Sequence, residues 1–477
     1  MGEKEILYQE RLKRYITAMK NEVPDCVPIR PFVAEFTAKY AGYTCQEVTH
    51  DYRKAFDAVL KCAMDFDWDA MVPNMVYVWT GLTQALGLKY YAIPGIDVDP
   101  NVGFQYLEPP EEKAFMKPDE YKLLIDDPTA YMYNVWLPRV STEIQEGNLS
   151  SYRAKLALVK GAMAMYEYFN AFGAQVERMK REAGMPSAIA GILKAPLDIL
   201  ADKFRGYIGL VKDLQRQPEN VLQACEVLAP HLAKVALMTA DPTKTLPIAF
   251  WMHRSCVPFI SFKHFNEIFW PTFEPIVEEL WSTGYRVLFY AEGNWTPHLD
   301  TFAELPDGSI TFHIDRTDPL EAKKKLKDKF CLSGGIPNYL LSIGTPEDVQ
   351  RYCKKILDLL ASDGGYIMDA SAIIQNDAKI ENVKAMTDCT RTYGKYEGGS
   401  SQEQLNKRVC SDTQPATKRS LAEFRRKLKV EPGTCIPWDE KRKELSRITG
   451  DENLLKRIWE EIEAHGYIFI WQVLLSF

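Results

Sequence analysis

Short apolar runs alternate with longer amphipathic ones from about residue 245 onward. The apolar runs cover 247–253, 285–292, 309–315, 329–335 and 365–371. Each is apolar almost throughout, which is typical of parallel strands that are buried on both faces. This pattern predicts five strands separated by helices.

The segments between these strands have apolar residues at helical spacing. The segment 261–284 ends at Gly284 and allows a break at Pro271. The segment 345–364 begins with Thr345 as a candidate N-cap and Pro346 at the first helical position, and it ends at Gly364. Alternating strands and helices with short connections predict a parallel α/β sheet, either open or closed into a barrel.

The first half of the chain is less regular. Residues 27–33 and 69–79 resemble two strands separated by a helical segment, whereas 92–120 is rich in Pro, Gly and acidic residues and resembles a long loop. A polar, turn-rich stretch at 398–419 precedes two amphipathic helices. We therefore expect a main domain at 1–397, followed by a linker and a C-terminal helical appendage at 398–477.

Charge and composition exclude several classes of protein. The net charge is −7 and no Lys/Arg run stands out, so nucleic-acid binding has no electrostatic support. The N-terminus lacks an apolar signal region, and no run approaches 18 apolar residues, so we expect neither secretion nor membrane spanning. None of the ten cysteines forms a CxxC pair, which favours reduced thiols and a cytoplasmic location.

Several linked motifs after residue 329 carry a family resemblance. They are Gly-Ile-Pro at 335–337, GTPEDV at 344–349, GGYIM at 364–368 and ENVKAM at 381–386. In this order they resemble the uroporphyrinogen decarboxylase superfamily, over roughly residues 25–395. The resemblance implies a (β/α)₈ TIM barrel, with an N-terminal helical segment, a small C-terminal helical appendage and an active site at the C-terminal ends of the strands.

The superfamily includes decarboxylases without a cofactor and zinc methyltransferases that work with a corrinoid protein or coenzyme M. The decarboxylases resembled here carry an aspartate after the second strand and a basic motif after the first. This chain has Asn74 or a neighbour at the former place and keeps only Arg30 of the latter. Because an asparagine cannot hold the negative charge needed beside a pyrrolic cation, the sequence argues against uroporphyrinogen decarboxylation.

The similar zinc methyltransferases carry H-x-C-G-N at one strand end and P-G-C at a later one. Here Glu292-Gly293-Asn294 keeps only the Gly-Asn frame of the first, and Asp369-Ala370-Ser371 stands at the second. The metal is therefore either lost or held by a changed ligand set. For the second case we predict Glu292 and His313 as catalytic zinc ligands and His253 as the third, because all three end neighbouring strands. Such a metal would polarise an ether oxygen.

Further candidates for substrate binding lie near predicted strand ends. They are Asn74, Tyr77, Trp251, Tyr290, Asp369 and Ser371. The aromatic members would suit a planar aryl ether. The sequence thus predicts a methyltransferase that moves a methyl group from a small methylated compound, such as an aryl methyl ether, to the Co(I) corrinoid (cobalamin) of a partner protein. The corrinoid is expected on a partner because no corrinoid-binding D-x-H-x-x-G motif is present.

Two alternatives remain open at this point. One is a metal-free decarboxylase or lyase related to uroporphyrinogen decarboxylase. The other is a non-catalytic protein that binds a corrinoid or another tetrapyrrole. The sequence leaves the oligomeric state open.

Overall fold

A computed structural model describes residues 2–75, 79–396 and 420–475. Within these residues, six parallel strands form one sheet in the order β3-β4-β5-β6-β7-β8. They are β3 (Ile192–Leu193), β4 (Ile248–Met252), β5 (Val287–Ala291), β6 (Ile310–Ile314), β7 (Cys331–Gly334) and β8 (Tyr366–Ile367). The predicted parallel α/β sheet is confirmed, and all five strands predicted in the second half are present.

Further pairings extend the sheet beyond its two edge strands. Ile29 forms an isolated parallel bridge with Met368, just after β8, and Met71 forms one with Ser187, just before β3. The backbone N–H of Asp69 donates to the carbonyl of Ile29 over 2.8 Å. The predicted strand at 27–33 and the described part of the one at 69–79 are therefore reduced to short pairings, and 76–78 lie outside the described residues. Prolines 28, 31 and 73 have no N–H to donate, which limits the ladder there.

The helices cover the outer face of the sheet. The longer ones are Glu3–Met19, Tyr52–Asp65, Tyr152–Ala183, Gly206–Arg216, Pro218–Thr239, Trp270–Ser282, Pro346–Leu360, Ile380–Tyr393 and Glu452–Leu475. Shorter ones include Phe36–Ala41, Cys45–His50, Thr80–Leu86, Tyr121–Asp126, Pro128–Tyr131, Leu137–Val140, Pro196–Ile199, Leu299–Phe302, Pro319–Leu326, Asn338–Ser342, Leu421–Arg425 and Trp438–Glu444. One apolar core lies between helices and sheet, and a second, containing Trp251 and Tyr290, lies on the inner face of the strands.

Helix boundaries follow the predicted caps. Thr345 and Asp348 form a capping box at the start of Pro346–Leu360. The predicted segment 261–284 is helical from Phe262 to Ser282, and Pro271 does not break it. A π-helical turn, Phe265–Phe269, directly precedes the α-helix Trp270–Ser282 in which Pro271 stands. The helix Pro218–Thr239 is the one described helix that is long and apolar enough to cross a membrane, and most of it is buried inside the fold.

The structure adds detail to the two segments with the weakest sequence patterns, the predicted loop and the predicted C-terminal appendage. Within the predicted loop 92–120, Gln105–Tyr106 (β2) pairs antiparallel with Tyr91–Ala92 (β1). In the predicted C-terminal appendage, the second half of Glu452–Leu475 is buried, and Trp471 stacks on His231 with ring centroids 5.1 Å apart. The predicted linker 398–419 lies outside the described residues.

Candidate active site

A cavity of about 360 Å³ opens at the C-terminal ends of β4 and β5. It is lined by Tyr91, Phe104, Gln105, Tyr106, Lys194, Asp202, Lys203, Trp251, His253, Arg254, Glu292 and Gln375. A second hollow of about 440 Å³ lies away from the sheet, between the N-terminal helix and Tyr152–Ala183, and is lined largely by exposed charged residues. The cavity at the strand ends is therefore the candidate site, as expected for an α/β fold.

Glu292 enters this cavity from the turn that follows β5. Gly293 has φ +87°, and a Cβ there would lie 2.3 Å from Cys256 Sγ, so the turn requires glycine. The indole N–H of Trp251 donates to Glu292 Oε1 over 3.2 Å. Burial, with a smaller contribution from Asp315, raises the pKa of Glu292, against the opposing effect of His253 and Lys194. Glu292 is thus a carboxyl group whose proton is retained to higher pH than usual.

Asp202 organises the basic residues of the cavity. It lies on a π-helical turn, Leu200–Arg205, that continues the short helix after β3. Lys194 Nζ donates to Asp202 over 2.5 Å, and His253 Nε2 and Arg254 Nε lie 3.0 and 3.3 Å from its oxygens. Burial alone would raise the pKa of Asp202, but the neighbouring His253 and Lys194 outweigh it and hold that pKa well below its usual range. Asp202 is therefore a carboxylate that fixes three basic side chains.

Lys203 lies next to this group in an aromatic surrounding. Its side chain is buried, and its Nζ lies 4.3 Å from the ring centroid of Tyr90 and 3.3 Å from the hydroxyl of Tyr91. Burial, together with the charge of Lys194, lowers the pKa of Lys203 well below its usual range. The cavity thus combines a weakly basic amine with tyrosine walls.

His313 lies in a deeper layer, and its two ring nitrogens both have protein partners. Nε2 is 3.0 Å from the carbonyl of Ser371 and must donate to it, so Nδ1 accepts from Ser333 Oγ, also at 3.0 Å. Arg30 Nη2 donates to the same Ser333 Oγ over 3.1 Å. Burial, followed by the Arg30 charge, lowers the pKa of His313 well below its usual range. His313 is therefore a neutral, fully buried histidine.

The strand register explains why Glu292 and His313 lie apart. Tyr290 is directly opposite His313 in the β5–β6 pairing, and Ala291 is opposite Ile314. Because side chains alternate along a strand, His313 shares the layer of Tyr290, one inward-facing position deeper than Glu292. Glu292 instead has Asp315 as its neighbour, whose carboxylate accepts from Gly293 N over 2.8 Å.

The three predicted zinc ligands are therefore not gathered into one site. Glu292 and His253 line the cavity, while His313 is buried below it. Across 2–75, 79–396 and 420–475, no group of three or more His, Cys, Asp or Glu side chains is arranged to hold a metal ion. In this arrangement the predicted ligand set does not fit zinc, because His313 uses both nitrogens within the protein.

The other predicted residues lie in three places: the cavity, the buried layer that contains His313 (the inner layer), and a contact with the helix Tyr152–Ala183. Trp251 lines the cavity, and Tyr290 lies beneath it, stacked between Trp251 and His313 with centroids 4.0 and 4.1 Å away. Asp369 and Ser371 belong to the buried inner layer. Asn74 donates to the hydroxyl of Tyr168 over 3.0 Å. Tyr77 lies outside the described residues.

Sequence reasoning did not identify several cavity residues. Lys194 follows β3 directly, so recognition of that strand would have indicated it. Asp202 and Lys203 project from a π-helical turn, for which the sequence carries no clear signal. Tyr91 and Tyr106 face each other across the β1–β2 pairing; Tyr106 lies within the predicted loop 92–120 and Tyr91 directly before it.

Comparison with known proteins places the chain in a family. The sequence pattern of the family described as "Uroporphyrinogen decarboxylase (URO-D)" matches residues 154–393, just over half of the chain. The chain belongs to the URO-D family, as its motifs predicted. A curated uroporphyrinogen decarboxylase from Vesicomyosocius okutanii subsp. Calyptogena okutanii (strain HA) is 34% identical over 83 residues, which is 17% of this chain. The alignment spans about a quarter (24%) of that relative.

A solved structure shows the same fold. It is described as a methyltransferase from Methanosarcina mazei, and the match has a TM-score of 0.53 and 14% sequence identity. It covers 80% of this chain and 98% of the solved chain. At this identity the likeness concerns the fold.

Proposed function

We propose that this chain is a methyltransferase that removes a methyl group from a small aryl methyl ether and passes it to the corrinoid of a partner protein. Membership of the URO-D family and the fold shared with a methyltransferase are compatible with this reaction class. We also infer that the sheet closes into an eight-stranded barrel, because the bridges at Ile29 and Met71 connect β8 with the segment that leads into β3.

The observation that carries the proposal is the setting of Glu292. Its carboxyl group faces the cavity at a strand end and has a raised pKa. An aryl ether transfers its methyl group poorly when a free phenolate must leave, so an acid next to the ether oxygen lowers the barrier. A carboxyl group with a raised pKa keeps the proton needed for that role to higher pH than an ordinary glutamate.

The proposed step balances without a metal. The acceptor attacks the methyl carbon, the bond between that carbon and the ether oxygen breaks, and its electron pair goes to the oxygen. The oxygen takes the proton of Glu292, so the products are the methylated acceptor, a phenol and the Glu292 carboxylate. The indole N–H of Trp251 then stabilises this carboxylate. Because the predicted zinc ligands do not fit a metal in this arrangement, we derive no step from one.

The walls of the cavity suit a planar ring. Tyr91, Phe104, Tyr106 and Trp251 provide aromatic surfaces, and the volume of about 360 Å³ is in the range of small-molecule sites. The basic groups held by Asp202 lie on the same side as Glu292. The charges of His253 and Lys194 lower the pKa of Glu292, which favours release of its proton to the ether oxygen as the methyl group leaves.

Decarboxylation of uroporphyrinogen finds no support in this cavity. Arg30, the arginine retained from the basic motif, is fully buried and lies 3.5 Å from Asp369. Its guanidinium also contacts the ring of Phe32, with 4.4 Å to the centroid. Arg30 is thus committed to the inner layer rather than to a carboxylate of a substrate in the cavity.

A direct assay tests the proposal. The purified chain would be mixed with a reduced corrinoid protein and methoxyphenols, and the released phenol and the methylated corrinoid would be measured by chromatography and absorbance. We expect equal amounts of both products, with at least a hundredfold slower formation by Glu292→Gln. Release of CO₂ from uroporphyrinogen, without phenol from any methoxyphenol, would overturn the proposal in favour of a decarboxylase.

A further inference from the structure

The long helix Tyr152–Ala183 has an apolar face that the described chain leaves exposed. We name Tyr152, Leu156, Val159, Met163 and Tyr166 the helix seam. Tyr152 is 81% exposed, Met163 67% and Tyr166 71%. The opposite face, with Ala154, Ala157, Gly161 and Met165, is buried. The seam is therefore additional to the face by which the helix packs on its own fold.

The spacing of the seam indicates what covers it. Its members are separated by four, three, four and three residues, which is the heptad spacing of a coiled-coil contact. Scattered apolar residues are normal on a surface, but five in a heptad row form a continuous strip along about 21 Å of helix. Such a strip fits another helix packed nearly parallel or antiparallel to it.

The seam is also self-complementary. Positions 156 and 166, and 159 and 163, are placed symmetrically about 161. In an antiparallel pair centred there, Leu156 of one copy packs against Tyr166 of the second copy, and Val159 against Met163. A two-fold axis then covers the apolar strip of both copies at once.

The charges beside the seam support the same pairing. Arg153 and Glu167 lie on one side of it, seven residues to either side of position 160, which is one residue from the centre of the apolar pairs, so they come close to each other across an antiparallel pair. Both are exposed, and their present ion pairs are with Glu143 and Arg53 of the same chain. Lys160 falls near the axis and would meet its own copy, which is the one unfavourable contact of this arrangement.

We propose that a second copy of this chain covers the helix seam through an antiparallel, two-fold helix pair centred near Gly161. The proposed dimer does not depend on the proposed reaction. A second copy of the chain is the partner we propose, because a membrane surface or an unrelated protein would not require the symmetric placement of Arg153 and Glu167.

Sedimentation of the full chain at micromolar concentration tests the proposal. We expect a dimer for the native chain and a monomer for the Val159→Glu/Met163→Glu variant. Ile343→Glu, which changes another exposed apolar residue (77% exposed), should remain dimeric. Because the altered side chains are exposed, circular dichroism should show an unchanged fold.

Charge reversal identifies the pairing itself. Arg153→Glu and Glu167→Arg should each weaken the dimer about tenfold, while the double variant restores it, and Lys160→Ala should strengthen it. A native chain that stays monomeric up to 100 μM overturns the proposal. So does a dimer that survives Val159→Glu/Met163→Glu, or flotation of a monomeric chain with anionic lipid vesicles.

Discussion

Two polar layers lie one above the other at the C-terminal side of the sheet, and they differ in access to the cavity. In the inner layer, Arg30, Ser333 and His313 form a hydrogen-bonded chain that ends on the carbonyl of Ser371, and all are buried. In the rim layer, Glu292 and His253 face the cavity. Tyr290 and Trp251 stack beside His313 in the row of the inner layer, and the indole N–H of Trp251 reaches Glu292 in the rim layer.

The comparison shows that residue type alone does not assign chemistry. His313 and Glu292 are both polar residues near the ends of adjacent strands, and both have shifted pKa values. Both ring nitrogens of His313, however, are hydrogen-bonded within the protein, whereas the carboxyl group of Glu292 faces the cavity. We therefore expect changes in the inner layer to affect stability first and changes in the rim layer to affect activity first.

The largest effect should follow His313→Ala. The change removes two buried hydrogen bonds and the ring contact with Tyr290, so we expect the free energy of unfolding to fall by about 2–4 kcal/mol. Urea denaturation measures this. The rim variant Glu292→Gln should lose less than about 1 kcal/mol in the same experiment. A stable His313→Ala protein without activity would instead assign the histidine to the reaction.

Glu292→Gln tests the rim layer, as His313→Ala tests the inner layer, and should affect activity first. We expect a rate at least about a hundredfold lower, because the amide cannot donate the carboxyl proton. In the native chain the protonated carboxyl is the active form, so activity should fall as pH rises through the raised pKa of Glu292. This alkaline limb should disappear in the variant. Glu321→Gln, at a half-buried glutamate of the helix Pro319–Leu326 that does not line the cavity, serves as the matched control, and an equal loss there would remove the role from Glu292.

Glu35 is a buried carboxyl group outside both layers, and it should make the free energy of unfolding depend on pH. Oε1 accepts from Phe104 N, Oε2 has no hydrogen-bond partner among the described residues, and burial raises the pKa of Glu35 to about 7. A raised pKa in the folded state stabilises the protein below the unfolded pKa, and this stability is lost as pH rises through about 7. The loss approaches about 1.4 kcal/mol per pH unit at most.

Glu35→Gln should therefore flatten the change in unfolding free energy between pH 5 and 7 on that scale of about 1.4 kcal/mol per unit. Denaturation curves recorded at several pH values measure it. The same slope in both proteins would show that other groups control this range. Glu321→Gln again provides the comparison for a carboxylate on the surface.

The smallest effect should come from Trp251→Phe, which links the two layers. Phenylalanine can keep a ring contact with Tyr290, but it cannot donate to Glu292. Since that hydrogen bond stabilises the carboxylate, its loss should raise the pKa of Glu292 further. The alkaline limb of the rate should then move to higher pH, by about one unit or less. Trp459→Phe, whose indole binds Ile436 O elsewhere, should leave the limb in place.

The sequence predicted which strand ends form the site, but not how deep each side chain lies below the cavity. The carboxyl ends of parallel strands meet at the same side of the sheet, so Glu292, His253 and Trp251 were expected there, and all three line the cavity. The count of twenty residues between Glu292 and His313 does not give the register between their strands, which set the histidine one layer deeper. The predicted ligands Glu292 and His313 therefore lie in different layers, and the zinc site stays a prediction.

The sequence by itself determined the parallel α/β fold, the family and the strand end that carries Glu292, because apolar runs and glycine-containing turns are local features with local causes. Tertiary structure alone decided which side chains share the cavity. Asp202 and Lys203 reach it from a π-helical turn, and Tyr91 and Tyr106 reach it from a hairpin about a hundred residues earlier in the chain. These contacts depend on packing between segments that are distant in the sequence, and a local sequence pattern does not predict them.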